Sequence, residues 1–261
     1  MPGRLPIVLL TDFGTKDAYV GSMKGVMAGI SPGTPLIDLT HEIKPQNVRQ
    51  AAFVLKAAYP YFPKGSVFVS VVDPGVGSER KILAAQTPAG TFLAPDNGLL
   101  TLVLQKENKT EIRGVTNRKF FREKVSFTFH GRDCFAPTAA HLAKNPSRFR
   151  ELGPRISAYQ KLNFAAGRKI GKRLVGEIVY FDHFGNAFTN LTQEDLHKRT
   201  DPFRVVLNKK SLGSIRRSYF EVPHGKVVAV FSSNGVLEIA VNQGSAREIL
   251  KLKEGDPVEV L

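Results

Sequence analysis

A carboxylate, a tight turn and a guanidinium follow one another in Asp73-Pro74-Gly75-Val76-Gly77-Ser78-Glu79-Arg80. The loop comes directly after residues 66–72, a β-branched and aromatic run that reads as a buried strand. The strand therefore ends on an acid, and Pro-Gly and Gly force the chain to turn. In an open α/β sheet, ligands bind beyond the carboxyl ends of the strands, where Asp73 would stand. A carboxylate and a guanidinium facing each other across one loop can orient a water or a small anion. The bland alternative is a turn in which Asp73 only caps its own backbone.

Two further polar residues take comparable places. Asp12 follows the apolar run Ile7-Val8-Leu9-Leu10, and His130 lies in Phe129-His130-Gly131-Arg132-Asp133. All three are expected at strand ends on one edge of a parallel sheet. The last hundred residues add Asp182-His183-Phe184-Gly185-Asn186 and Ser232-Ser233-Asn234-Gly235, loops whose backbone groups suit a ligand or a plain hairpin turn. Several chemistries lose support. Asp12, His41, Asp73, His130 and Asp133 have no paired metal-ligand spacing. The Gly-x-Ser-x-Gly nucleophile motif is absent. Gly75 and Gly77 lack the third glycine and the Gly-Lys-Ser/Thr of a phosphate-cradling loop.

The elements that must position these residues alternate in the first part. Strands are expected at 7–10, 35–39, 66–72, 82–85 and 91–94, and helices at 17–30, 48–59 and 134–144. This predicts an α/β domain over residues 1–165, with a mixed, mostly parallel sheet and flanking helices. The segment Gly167-Arg168-Lys169-Ile170-Gly171-Lys172-Arg173 reads as a polar joint. Beyond it, short apolar alternations at 174–181, 203–207, 226–231, 237–241 and 257–261 predict a small antiparallel β-barrel-like domain over residues 172–261.

The chain has 261 residues, 42% of them hydrophobic, enough for two domains with cores of their own. It carries a formal net charge of +14, with clusters at Arg118-Lys119, Arg122, Lys124, residues 168–173 and Arg216-Arg217. A basic balance permits an anionic partner, but no nucleic-acid motif accompanies it. No apolar run reaches membrane-spanning length, and the first six residues do not read as a signal peptide. The single cysteine, Cys134, provides neither a disulfide framework nor a cysteine cage. The cytoplasm is the expected compartment.

Read in order, Thr11-Asp12-Phe13-Gly14, Asp73 to Arg80, Pro95-Asp96-Asn97-Gly98-Leu99-Leu100, Phe129 to Asp133, Phe184-Gly185-Asn186 and Ser233-Asn234-Gly235 resemble one family across essentially the whole chain. These are the S-adenosylmethionine (SAM) hydrolases, or SAM hydroxide adenosyltransferases, relatives of the SAM-dependent fluorinase and chlorinase. The resemblance implies an α/β domain, a β-barrel-like domain and a homotrimer whose substrate lies at a subunit interface. It implies hydrolysis of SAM to adenosine and L-methionine, with no cofactor and no metal. Asp73, Arg80 and His130 would form a water-binding triad. Asp12 would bind the ribose hydroxyls; Asp182, Asn186 and Ser233 would hold the methionine end. Tyr219 would stack on adenine, and Val241 and Gln243 would offer backbone groups to its edge. Glu238 lies in the same segment. The fluorinase carries Tyr in place of Asp73, Thr in place of Val76, and Tyr-Ser in place of His130-Gly131, which favours hydrolysis here over halogenation. A SAM halogenase is the alternative within the family. A non-catalytic, basic nucleic-acid-binding protein, using Phe181, Phe184 and Phe188 on an OB-like platform, is the alternative outside it.

Overall fold

Alternate residues of the first strand serve two different cores: Ile7 and Leu9 face one, Val8 and Leu10 the other. A strand covered on both faces needs an unbroken apolar run, and this one has it. The computed structural model describes residues 4–164, 167–196 and 203–261. The signal-peptide reading of residues 1–3, and residue 165 at the end of the expected first domain, fall outside them. The chain divides into two compact units, Met1–Leu162 and Asn163–Leu261.

The first unit runs β1 (Ile7–Thr11), α1 (Tyr19–Ile30), β2 (Leu36–Thr40), α2 (Val48–Ala58), β3 (Ser66–Val71), β4 (Ile82–Gln86), β5 (Gly90–Pro95), α3 (Thr101–Lys106), β6 (Glu111–Gly114) and α4 (Ala136–Lys144). Its sheet has the order β2-β1-β3-β5-β4-β6. Strands β2, β1, β3 and β5 pair in parallel, while β4 is antiparallel to β5 and β6. Helices α1 and α4 cover one face through Met23, Met27, Ala136 and Ala139; α2 and α3 cover the other through Ala51, Leu55 and Val103. The crossovers flanking β1 therefore leave on opposite faces. This makes the β1/β3 junction a topological switch point, where the carboxyl ends of two adjacent strands open a crevice. Thr11 pairs with Val71, so the two ends are level.

Two elements of this unit have no counterpart among the expected ones. The six-residue α3 and four-residue β6 are too short to carry a visible period. One expectation is corrected. His130 does not end a strand; it precedes a π-turn, Gly131–Phe135, that runs into α4. The segment before it is not paired as a strand; Phe129 packs on the α1/α4 core while Phe127 is exposed.

Among the described residues, the strands of the second unit pair antiparallel throughout. Its strands are β7 (Arg168–Ile170), β8 (Arg173–Phe181), β9 (Ala187–Thr192), β10 (Arg204–Leu207), β11 (Lys210–Ser214), β12 (Val227–Phe231), β13 (Val236–Val241) and β14 (Pro257–Val260), with short helices α5 (Gln193–Leu196) and α6 (Ala246–Ile249). The order is β11-β10-β14-β8-β9-β13-β12, with β7 on β8. After β11 the Arg216 N–H donates to Ala229 O at 2.8 Å. That bridge brings the two edges together and nearly closes the sheet into a barrel. The expected joint at 167–173 is instead the β7–β8 hairpin, turned by Gly171 at φ 58°.

Candidate active site

Asp73 lies two residues past β3, and the turn through Gly77 brings Arg80 back to it. Gly77 has φ 81°, and a Cβ there would sit 2.5 Å from the Phe127 carbonyl oxygen. The turn thus depends on glycine for both its conformation and its close approach. Arg80 Nε donates to Asp73 Oδ1 at 3.0 Å and Oδ2 at 2.9 Å, and Nη2 donates to Oδ2 at 2.5 Å. Arg80 Nη2 also lies 2.8 Å from His130 Nδ1. The pair is nearly buried, with the Arg80 side chain 10% and the Asp73 side chain 5% exposed. Phe135 packs under the guanidinium, 5.8 Å from ring centroid to Cζ.

The proton on His130 follows from this geometry. Arg80 has no acceptor and keeps its protons, so His130 Nδ1 must accept, and the ring is neutral with its hydrogen on Nε2. Burial first, and the Arg80 charge second, push the His130 pKa below its ordinary value. Fully buried Asp133 fixes the turn that carries His130. It accepts from Arg132 Nε at 2.7 Å, Arg122 Nη1 at 3.1 Å and the Ser126 N–H at 2.9 Å. Burial would raise the Asp133 pKa, but the bonds from Arg132, Ser126 and Arg122 outweigh it and hold it at about 2.

Asp12 and Asp73 line one cleft of about 400 Å³ at the switch point, together with Tyr19, Gln46 and Val76. Gln46, in a left-handed conformation with φ 67°, donates its N–H to Asp12 Oδ2 at 2.8 Å. Nothing in the sequence marks Gln46, because its contribution is a backbone group. Phe13, Tyr19 and Phe129 cluster beside the cleft with centroids 5.2–6.1 Å apart, Phe129 edge to face with both of the others.

The second unit gathers Asp182, Asn186, Tyr219, Ser233, Glu238, Val241 and Gln243 around one pocket of about 690 Å³. Its walls are largely aromatic and its two charged groups, Asp182 and Glu238, are acidic. Asp182 Oδ1 accepts from the Phe184 and Asn186 N–H groups at 3.0 and 2.8 Å, and Oδ2 accepts from Asn186 Nδ2 at 3.0 Å. Asp182 thus shapes its own turn while facing the pocket. Glu238, on β13, is 1% exposed and accepts from the Tyr219 hydroxyl at 2.7 Å. Burial raises its pKa and nearby Asp182 adds to the effect, against the Tyr219 hydrogen bond. The Val241 carbonyl accepts from the Gly244 N–H at 3.1 Å, with Gln243 in the turn at φ 56°. Phe184, Phe188, Phe220 and Asn242 also line the pocket. Phe188 is buried and Phe181 packs on the barrel core, so the aromatic platform for nucleic acid does not form.

Profiles of two domains, described as the SAM hydroxide adenosyltransferase N-terminal and C-terminal domains, match residues 7–153 and 176–259. The chain belongs to this family. A relative named "(R)-S-adenosyl-L-methionine hydrolase", from Thermus thermophilus, is 40% identical over 98% of this chain and 99% of its own. A fluorinase from an Actinoplanes species is more distant, at 29% identity over 97% of this chain and 96% of its own. An uncharacterised conserved protein from Thermotoga maritima has a crystal structure that matches with a TM-score of 0.91 at 40% identity, covering 97% of this chain and 99% of that one. Among the described residues no helix is long and apolar enough to cross a membrane.

Proposed function

We propose that this protein hydrolyses S-adenosyl-L-methionine, in the R configuration at sulfur named for its relative, to adenosine and L-methionine. The observation that carries the reading is the nearly buried Asp73–Arg80–His130 unit beside Asp12, in a chain of this family.

Water attacks the ribose C5′ in line with the C5′–S bond. The C5′–O bond forms while the C5′–S electron pair returns to sulfur, so a sulfonium leaves as the neutral thioether of methionine. One water proton must be lost. Asp73 is its acceptor: Arg80 places two N–H groups on Oδ2 and one on Oδ1, so Oδ1 keeps a lone pair for the water proton. His130, neutral with its hydrogen on Nε2, can only donate, so it steadies the water without taking the proton. Arg80 holds both partners and favours hydroxide character. Holding the water in line contributes up to about 7–11 kcal/mol in favourable cases. No cofactor is needed, because water is the nucleophile and the leaving group is already activated.

Asp12 accepts from the ribose hydroxyls. Tyr219 stacks on adenine, with Val241 and Gln243 at its edge. Asn186 and Ser233 bind the methionine end, and the acidic pair Asp182 and Glu238 favours a cationic ligand. Gly131 bears on the halogenase alternative. A Cβ there would meet Met23 Sδ at 3.2 Å and the Phe129 and Phe13 rings at 3.3 Å, so a halide-binding hydroxymethyl group would require these neighbours to give way by a few tenths of an ångström. The protein acts in the cytoplasm as a homotrimer, each substrate contacting the first unit of one subunit and the second unit of the next.

The test is incubation of purified protein with each sulfonium epimer and chromatography of the products. Adenosine and methionine in equal amounts, lost in Asp73→Ala, support the reading. Intact SAM, or adenosine formed equally by Asp73→Ala, rejects it.

A further inference from the structure

His41 follows β2, the strand beside β1, and is 5% exposed. Its Nδ1 lies 2.8 Å from Thr11 Oγ1, and its Nε2 lies 2.9 Å from Asp38 Oδ1. The Nε2 contact is not aligned as a directed hydrogen bond, so it is held by the attraction of the carboxylate charge for the polar ring N–H. Asp38 is itself paired with Lys24 at 2.6 Å, which keeps it anionic. An anion at Nε2 favours hydrogen there, leaving Nδ1 to accept from the only proton of Thr11. Thr11 Oγ1 then has lone pairs free, and it accepts from the Phe13 N–H at 3.2 Å. The Gly14 N–H donates to His41 O at 2.8 Å. Each donor thus faces an acceptor, from Asp38 through His41 and Thr11 to the peptide that follows Asp12.

We propose that His41 and Thr11 are positioning residues that aim the Asp12 carboxylate at the ribose hydroxyls, and so set the site's preference for a ribonucleoside. The proposal rests on Asp12 as the ribose-binding group. His41 touches neither substrate nor reacting atoms. Its buried ring fixes the donor direction of Thr11, Thr11 fixes the peptide plane at Phe13, and the Gln46 N–H fixes Asp12 Oδ2 from the other side. Thr11 is fully buried, which rules it out as a nucleophile and leaves orientation as its role.

The test measures dissociation constants of adenosine and 2′-deoxyadenosine, by calorimetry, for the full-length wild type, Thr11→Val, His41→Gln, their double variant and Thr11→Ser. Loss of a hydrogen bond to a charged group changes affinity by about tenfold or more, so the wild type should favour adenosine by about that factor. Thr11→Val, nearly isosteric, and His41→Gln should each reduce the preference to about threefold or less. The double variant should lose no more than either single one, because the two act in series. Thr11→Ser, which keeps the hydroxyl, should restore the preference. If both ligands weaken together and the ratio survives, the role is merely structural and the proposal fails. Additive losses in the double variant overturn the series arrangement. A wild type without the preference removes the Asp12 reading, and the proposal with it. Should His41→Gln not fold, Thr11→Val and Thr11→Ser decide alone.

Discussion

Replacing Arg80 by lysine keeps the charge and removes the fork. Arg80 makes three contacts to Asp73 and one to His130. An ammonium group is a point donor that cannot reproduce a bidentate pairing. At best one strong contact to Asp73 survives, and two are lost from a pair only 10% and 5% exposed. Hydrogen bonds to charged groups contribute about 1.5–3 kcal/mol each, so losing two costs about 3 kcal/mol at the lower end of that range. For a folding unit of this size that lowers Tm by roughly 6–12 °C. The kinetic effect has a different origin: misplacing the water by about 1 Å costs on the order of a hundredfold in kcat. Calorimetric unfolding and steady-state SAM hydrolysis measure both. If Arg80→Lys keeps its kcat within about threefold and its Tm within about 2 °C, the fork does not hold the nucleophile.

The pH profile should carry an acid limb from His130. Burial and Arg80 lower its pKa, so the imidazole is neutral above about 6.5. Activity should stay level there and fall only as pH drops through the lowered value; a limb beginning above neutrality contradicts this. The same sign holds for stability: the folded state resists protonation, so the His130 contribution is complete above about 6.5 and is lost on acidification. Glu238→Gln keeps shape and removes charge beside the pocket. It should raise the KM for cationic SAM about tenfold and leave adenosine binding nearly unchanged, as titration calorimetry would show. Gly77→Ala places a Cβ 2.5 Å from the Phe127 carbonyl oxygen and should cost about 1–3 kcal/mol in thermal unfolding. Co-expressing Asp73→Ala with Asn186→Ala should restore about a quarter of the sites if each site combines two subunits of a cyclic trimer. No recovery would place the whole site within one chain.

What the sequence disclosed was whatever a side chain announces locally. The apolar runs before Asp12 and Asp73 marked buried strands, and their parallel pairing put both acids at one sheet edge. The turn glycines around residue 77 marked a loop able to return Arg80. The seven predicted residues of the second unit share a single pocket, though no periodicity assembled them; the ordered motifs did. Backbone donors stayed invisible, above all the Gln46 N–H on Asp12. So did geometry set by distant neighbours. His130 read as a strand-end residue, and only the π-turn that carries the chain from it into α4 decides otherwise. His41 showed no metal-ligand spacing and no other mark, since Thr11 meets it only through the pairing of β1 with β2.

The central claim is that Asp73, Arg80 and His130 direct water onto C5′ of SAM. Incubation with SAM in heavy-oxygen water, with and without chloride, followed by mass spectrometry, tests it most directly. Adenosine labelled at its 5′ oxygen should form together with methionine, independent of chloride, and be absent with Asp73→Ala. Unlabelled adenosine, or chlorodeoxyadenosine in the presence of chloride, would contradict it.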